Sequence, residues 1–139
     1  MRRGLMFTIA CVCALGLCGC EEETQFKPYY VLTITARVVD EAGEPIQGIH
    51  VYPAGYTFPG REGYTDYRGE MGANTHIEPY RQVQIVFEDV DGEYNRGVWQ
   101  SRTIDITSQI DPPQEADKWG YSGSCFLELG DVVLSPAVQ

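Results

Sequence analysis

Beyond residue 20 this 139-residue chain has a single cysteine, Cys125, so that part of the chain can form no internal disulfide and no cysteine-cluster metal site. Positive charge is scarce. The 10 Lys and Arg face 20 Asp and Glu, which excludes a basic nucleic-acid surface. Histidine is limited to His50 and His76, and neither has a Ser or Cys in a nucleophile-elbow context. A glycine-rich phosphate loop and a His-Glu-x-x-His pattern are both missing. No apolar run reaches the length of a transmembrane span, and no stretch longer than a turn or two has helical apolar periodicity. What is present is 43% hydrophobic residues punctuated by 15 Gly and 8 Pro, the make-up of one globular domain large enough to bury a core.

The other four cysteines, Cys11, Cys13, Cys18 and Cys20, crowd the start. Arg2 and Arg3 precede an uncharged, mostly apolar segment over 5–17, too short for a stable span and of the length of a removable secretory signal. It closes on Leu17-Cys18-Gly19-Cys20, which resembles a bacterial lipobox: a Leu and two small residues before an obligatory Cys. The resemblance implies a lipoprotein signal peptide over 1–19, a diacylglycerol thioether on Cys20, cleavage before that residue, and an acyl chain on the new amine. An ordinary signal peptide that happens to contain cysteines, or an uncleaved anchor, is the alternative. Two or three acyl chains, at about 0.8 kcal/mol per buried methylene, hold a domain durably where one is marginal.

Removing 19 of the 139 residues leaves 120, and without Arg2 and Arg3 the 20 acidic side chains face 8 basic ones, a formal charge of −12. An anionic bilayer repels such a chain, so the domain is expected to stand off it. Residues 20–28 read as a lipidated acidic tether through Glu21-Glu22-Glu23-Thr24-Gln25, with Pro28 where it meets the folded part. The acidic run is either plain spacer or an export signal. It resembles the signal that sends some bacterial lipoproteins to the cell surface, which implies an outer-membrane or surface location.

Residues 29–139 have the pattern of a β domain. Leu32, Ile34, Ala36 and Val38 alternate with Thr33, Thr35 and Arg37, as in a strand with one wet face. Further strands are expected around Ile49 and Val51, Val83 to Phe87, Ile104 and Ile106, Cys125 to Leu129, and, past Gly130, Val132 to Leu134. In that reading Cys125 is a half-buried strand residue more than a nucleophile. Turn clusters at Asp40-Glu41-Ala42-Gly43-Glu44-Pro45 and Thr65-Asp66-Tyr67-Arg68-Gly69-Glu70-Met71 separate short extended pieces. About seven strands and no long helix predict an all-β, antiparallel β-sandwich.

Val38-Val39-Asp40-Glu41-Ala42-Gly43-Glu44-Pro45-Ile46-Gln47-Gly48-Ile49-His50-Val51, followed by the Thr65-to-Met71 segment, resembles the carboxypeptidase regulatory-like domain. That likeness implies a transthyretin-like (prealbumin-like) sandwich and a non-catalytic module. A narrower likeness adds Val86-Phe87-Glu88-Asp89-Val90-Asp91-Gly92-Glu93-Tyr94-Asn95 and the lipobox. It resembles small lipoproteins associated with a radical SAM protein, and implies such a protein as partner or maturase. The chain departs from that group at Arg96-Gly97-Val98-Trp99, where a small glycine-rich step is usual.

Two surfaces are candidates for function. Glu88, Asp89, Asp91 and Glu93 surround a glycine turn and are either a solvated acidic hairpin or oxygen ligands for Ca²⁺; an EF-hand register fails because Gly92 and Gln100 fall at the wrong places. Tyr52, Tyr56, Phe58, Tyr64 and Tyr67 lie in a stretch rich in Gly and Pro, and are either a stacking surface for a partner protein or a glycan, or caps on the end of the sandwich. The expected function is that of a non-enzymatic, membrane-anchored protein-interaction module, with a surface glycan-binding accessory protein as the alternative. A hydrolase is kept only for the abundance of Asp and Glu. No cofactor is expected beyond the lipid on Cys20.

Overall fold

The computed structural model of the protein describes residues 26–138. The expected signal peptide, Cys20 and most of the tether lie outside the described residues. Six strands follow in order: β1 (Tyr29–Val39), β2 (Ile49–Pro53), β3 (Glu70–Ile77), β4 (Gln84–Asp89), β5 (Arg102–Asp105) and β6 (Tyr121–Val133). One 3₁₀ turn, Thr107–Gln109, precedes the last strand. They form two three-stranded sheets, ordered β3-β1-β6 and β2-β4-β5, in a sandwich-like arrangement.

The all-β expectation holds, with two corrections. There are six strands among the described residues, not seven. The Gly- and Pro-rich segment 54–66 contributes only an isolated bridge between His50 and Tyr64, whereas β3, expected only as a short extended piece after the Thr65-to-Met71 turn, is a strand of 8 residues paired along β1. The two strands expected on either side of Gly130 are one, since β6 runs straight through it. The second correction concerns direction: β1 pairs with β3 antiparallel but with β6 parallel. A parallel neighbour needs a long crossover. Residues 106–120 supply it, passing from the β2-β4-β5 sheet back to β1. Tyr30 fastens this crossover by donating its hydroxyl to the Asp111 carbonyl at 2.9 Å. Burial, with the Cys125 thiol beside it, pushes the Tyr30 phenol up to about 12.

Period-two alternation decides which side chains meet. Tyr30, Leu32, Ile34, Ala36 and Val38 of β1 point inward, and Ile49, Val51, Ile85 and Phe87 face them from the other sheet. Cys125 is a buried free thiol in β6. Full burial of Leu, Ile or Phe contributes roughly 1.5–3 kcal/mol each, so this double layer is the main source of stability.

Three turns share one chemical pattern, Asp-x-x-Gly-x, at Asp40, Asp66 and Asp117. In each, Oδ1 of the Asp accepts from the backbone N–H two and four residues on, at 2.8–3.0 Å. The glycine N–H donates to the Asp carbonyl, and the Asp N–H donates to the carbonyl four residues on. The glycines take φ of 83°, 74° and 90°. Gly69 has a second constraint, since a Cβ there would run into the Val38 carbonyl oxygen. These closed turns hold their tip residues in fixed positions: Glu41-Ala42, Tyr67-Arg68 and Lys118-Trp119.

The two segments that carry the carboxypeptidase regulatory-like resemblance are bonded to each other. Buried Thr65 accepts from Ile49 N–H at 2.9 Å and donates to the Ile46 carbonyl at 2.8 Å through its hydroxyl. Its own N–H donates to Ile49 O, Gly48 N–H donates to Thr65 O, and Val38 N–H donates to Gly69 O. The motif residues therefore form a clasp that fixes where β2 starts.

Candidate functional site

Alternation along β2 sends Ile49 and Val51 into the core and leaves His50 and Tyr52 on the outer face of the sheet. Across the strand, Tyr64 reaches the same face through its bridge to His50. The three rings form a ladder. His50 and Tyr64 stack with centroids 4.5 Å apart and planes 11° from parallel, and His50 meets Tyr52 at 4.6 Å with a 38° tilt. Beyond Tyr52, its hydroxyl donates to Glu88 Oε2 at 2.8 Å. That bond, with some burial and the carboxylate charge, raises the Tyr52 phenol above its ordinary value.

The ladder borders two open hollows. One, of about 370 Å³, is lined by His50, Tyr52, Gly55, Tyr56, Thr57 and Glu88. The other, of about 650 Å³, lies beyond Tyr64 and is lined by Gln47, Gly48, Arg61, Tyr64, Thr65 and Asp66. The surface thus offers stacked rings, with the Glu88 carboxylate bonded at one end and Arg61 among the residues lining the hollow at the other. Such groups bind by stacking and hydrogen bonding, and rings held on a strand lose little freedom when they do.

The five aromatic residues singled out in the sequence do not form one surface. Tyr52 and Tyr64 do come together. Phe58 does not belong with them: it is 6% exposed and packs in the core, because the Gly/Pro segment folds back over the sandwich and inserts that ring. Tyr56 is half-buried, and its hydroxyl accepts from Glu78 N–H at 2.9 Å, which ties the segment to the end of β3. Tyr67 is 68% exposed at the tip of the Asp66 turn, with the Arg68 guanidinium over its ring at 5.2 Å. The residue missed is His50. Its place two residues before Tyr52 on an alternating strand was the signal for it.

The acidic residues are likewise dispersed. Glu88 serves Tyr52. Asp89 accepts from Asp91 N–H at 3.2 Å and from Trp99 N–H at 2.9 Å, and Asp91 accepts from the Asn95 amide at 2.5 Å. Glu93 is exposed. Among the described residues no three His, Cys, Asp or Glu side chains converge in a way that could hold a metal. Asp89 and Asp91 brace a loop instead. Burial first, then the hydrogen bond and charge of Asp89, raise the Asp91 carboxyl above the usual aspartate value.

The loop docks on Gly48, whose φ of 82° is left-handed and where a Cβ would clash with the Asp91 carboxylate. Arg96 completes the joint. Its guanidinium donates to Asp40 Oδ2 at 2.8 Å and to the Pro45 carbonyl at 2.7 Å, and lies 5.6 Å from the Trp99 ring centre. The departure from the narrower resemblance, at Arg96 and Trp99, is therefore a structural joint between the acidic loop and the β1–β2 turn. A scan against protein-family models finds no match to the chain, and no curated protein matches its sequence significantly.

Proposed function

We propose that this protein is a non-catalytic lipoprotein that works as a protein-interaction module. In this reading it is exported, held by diacylglycerol and an acyl chain on Cys20 in the outer membrane or at the cell surface, and engages a partner protein through the Tyr64–His50–Tyr52 ladder. The observation that carries the reading is the ladder itself: three rings in succession on the outer face of the sheet, with a carboxylate at one end and an arginine-lined hollow at the other. A transthyretin-like, carboxypeptidase regulatory-like sandwich is part of the same proposal, supported by the Thr65 clasp that joins both motif segments. The partner implied by the narrower resemblance is a radical SAM protein, acting as maturase or as binding partner.

The test places a photo-crosslinking amino acid at Tyr64 in cells and, as a control, at Tyr94 on the exposed acidic loop. One protein adduct from Tyr64, absent from Tyr94 and lost on His50→Ala, is the expected result. The absence of any Tyr64-specific adduct would contradict the proposal. Flat rings beside a carboxylate also suit sugar stacking. Binding of one oligosaccharide on an array, lost on Tyr64→Ala and without a protein adduct, would favour the glycan reading.

A further inference from the structure

We propose that the end of the sandwich where the tether enters is a bilayer-contacting surface, formed by Phe26, Trp119 and Tyr121 with Lys27 and Lys118 beside them. This rests on the reading of Cys20 as a lipid anchor and names the surface through which the anchored domain meets its membrane.

The Asp117 turn places Trp119 at its tip, and Tyr29 N–H donates to the Gly120 carbonyl at 2.8 Å, so the turn lies against the point where the chain enters β1. Phe26 consequently packs against Trp119, with ring centroids 5.5 Å apart. Tyr121 continues the patch onto the outer face of the β3-β1-β6 sheet, where it meets Tyr29 at 6.0 Å, and Tyr29 in turn stacks on His76 at 4.4 Å. These rings are open to water for their size: Phe26 is 55%, Trp119 57% and Tyr121 39% exposed. Together they form a patch of the kind that marks an interaction surface.

The occupant follows from where the described chain begins. Five residues lie between Cys20 and Phe26, and the six steps of chain span at most about 20 Å. A lipid on Cys20 therefore keeps this patch within about 20 Å of the anchored sulfur, close enough for its Trp and Tyr rings to reach the headgroup layer in which such rings settle. At such an effective concentration even weak adhesion suffices to orient the domain.

Charge agrees. The chain has two lysines, Lys27 and Lys118, and both flank the Phe26–Trp119 pair, with the Lys118 ammonium 5.1 Å from the Trp119 ring centre. Lys118 lies against the Trp119 ring with its ammonium placed to reach headgroup phosphates, and Lys27, exposed and paired with Glu78 at 3.0 Å, can exchange that carboxylate for a phosphate. The acids touching these residues are engaged: Glu78 by Lys27 and Arg81, Asp117 by two backbone N–H groups. The Asp40 turn and the acidic loop lie at the other end of β1, roughly 33 Å away by strand length. With the aromatic end down, the repulsive end faces away from the bilayer. The stand-off expected from net charge thus becomes an orientation.

The test uses the full chain produced in a lipidating host and reconstituted in vesicles of phosphatidylethanolamine and phosphatidylglycerol, with and without brominated acyl chains. Tryptophan emission then reports on Trp119 and on buried Trp99, and Trp119→Phe separates them. The expected result is that wild type and Trp119→Phe both float with the vesicles, while wild type alone shows a blue-shifted component that brominated lipid quenches. Flotation without that quenched component overturns the membrane-contacting patch and leaves the anchor standing. A blue shift that brominated lipid leaves untouched puts the rings against protein, such as a second copy of the chain, and also overturns it. Failure to float overturns the anchor reading and this proposal together.

Discussion

Thr65→Val is the sharpest perturbation of the clasp. Val keeps the branched shape of Thr and removes only the hydroxyl, so packing is preserved while two hydrogen bonds vanish. The groups left behind are Ile49 N–H and the Ile46 carbonyl, both joined to Thr65 Oγ1 in a buried site. An unsatisfied buried donor or acceptor costs about 1–3 kcal/mol, so the pair costs about 2–6 kcal/mol, a large share of the 5–15 kcal/mol that ordinarily holds a domain folded. For a domain of this size the loss lowers Tm by about 8–24 °C. Urea unfolding followed by circular dichroism checks it, as a shift in midpoint at constant slope. Thr65→Ser, which keeps the hydroxyl and drops one methyl, is expected to cost only about 1 kcal/mol. If Thr65→Val falls within 0.5 kcal/mol of wild type, on the order of a neutral surface change, the clasp does not hold the motif segments together.

Phe58→Ala opens the core and should cost about 3–5 kcal/mol, whereas Tyr67→Ala on an exposed tip should stay within about 0.5 kcal/mol; thermal melts of the two variants check the contrast. Gly69→Val places a branched side chain at positive φ against the Val38 carbonyl and should fail to fold under conditions where Glu70→Ala folds, as read by circular dichroism. Asp40 and Asp91 should give opposite pH dependences. The Arg96 guanidinium, then the Glu44 N–H, hold the Asp40 carboxyl below the usual aspartate range, so the stability it contributes is present above that range and is lost as pH falls through the folded value. Arg96→Ala should therefore lower Tm at neutral pH, by a margin that shrinks in acid. Asp91 is raised, so its favourable state is the protonated one, and stability is lost as pH rises through its folded value. Asp91→Asn should raise Tm at neutral pH and match wild type in acid.

The strands with one wet face were legible in the sequence because alternation is a local signal: Leu32, Ile34, Ala36 and Val38 are all buried, as are Ile85 and Phe87. The direction of β6 was not legible, since it depends on a crossover over 106–120 that has no periodicity and is held by long-range bonds such as those from Tyr30 to Asp111, from Tyr80 to Pro113 and between Val83 and Thr107. The Gly and Pro around Phe58 correctly marked a segment without a ladder, but local composition does not say whether such a segment turns a ring outward or back into the core. Two of the three rings of the aromatic site were readable. Tyr52 and Tyr64 stood out by type, while His50 was passed over although it shares the face of Tyr52. The Asp-x-x-Gly pattern pointed to a turn at Trp119, since its occurrences at Asp40 and Asp66 were recognised as turns and the one at Asp117 repeats every hydrogen bond. The pattern alone does not decide, because Asp89-Val90-Asp91-Gly92 has it without closing the same turn.

Intact mass of the protein purified from its native membranes tests the account most directly. The expected species begins at Cys20 and carries the added mass of diacylglycerol and one acyl chain, and any further covalent change left by a radical SAM maturase would be read in the same spectrum. An unmodified 139-residue chain, or a chain cleaved elsewhere and without lipid, would contradict the claim that this sandwich is a lipid-anchored interaction module.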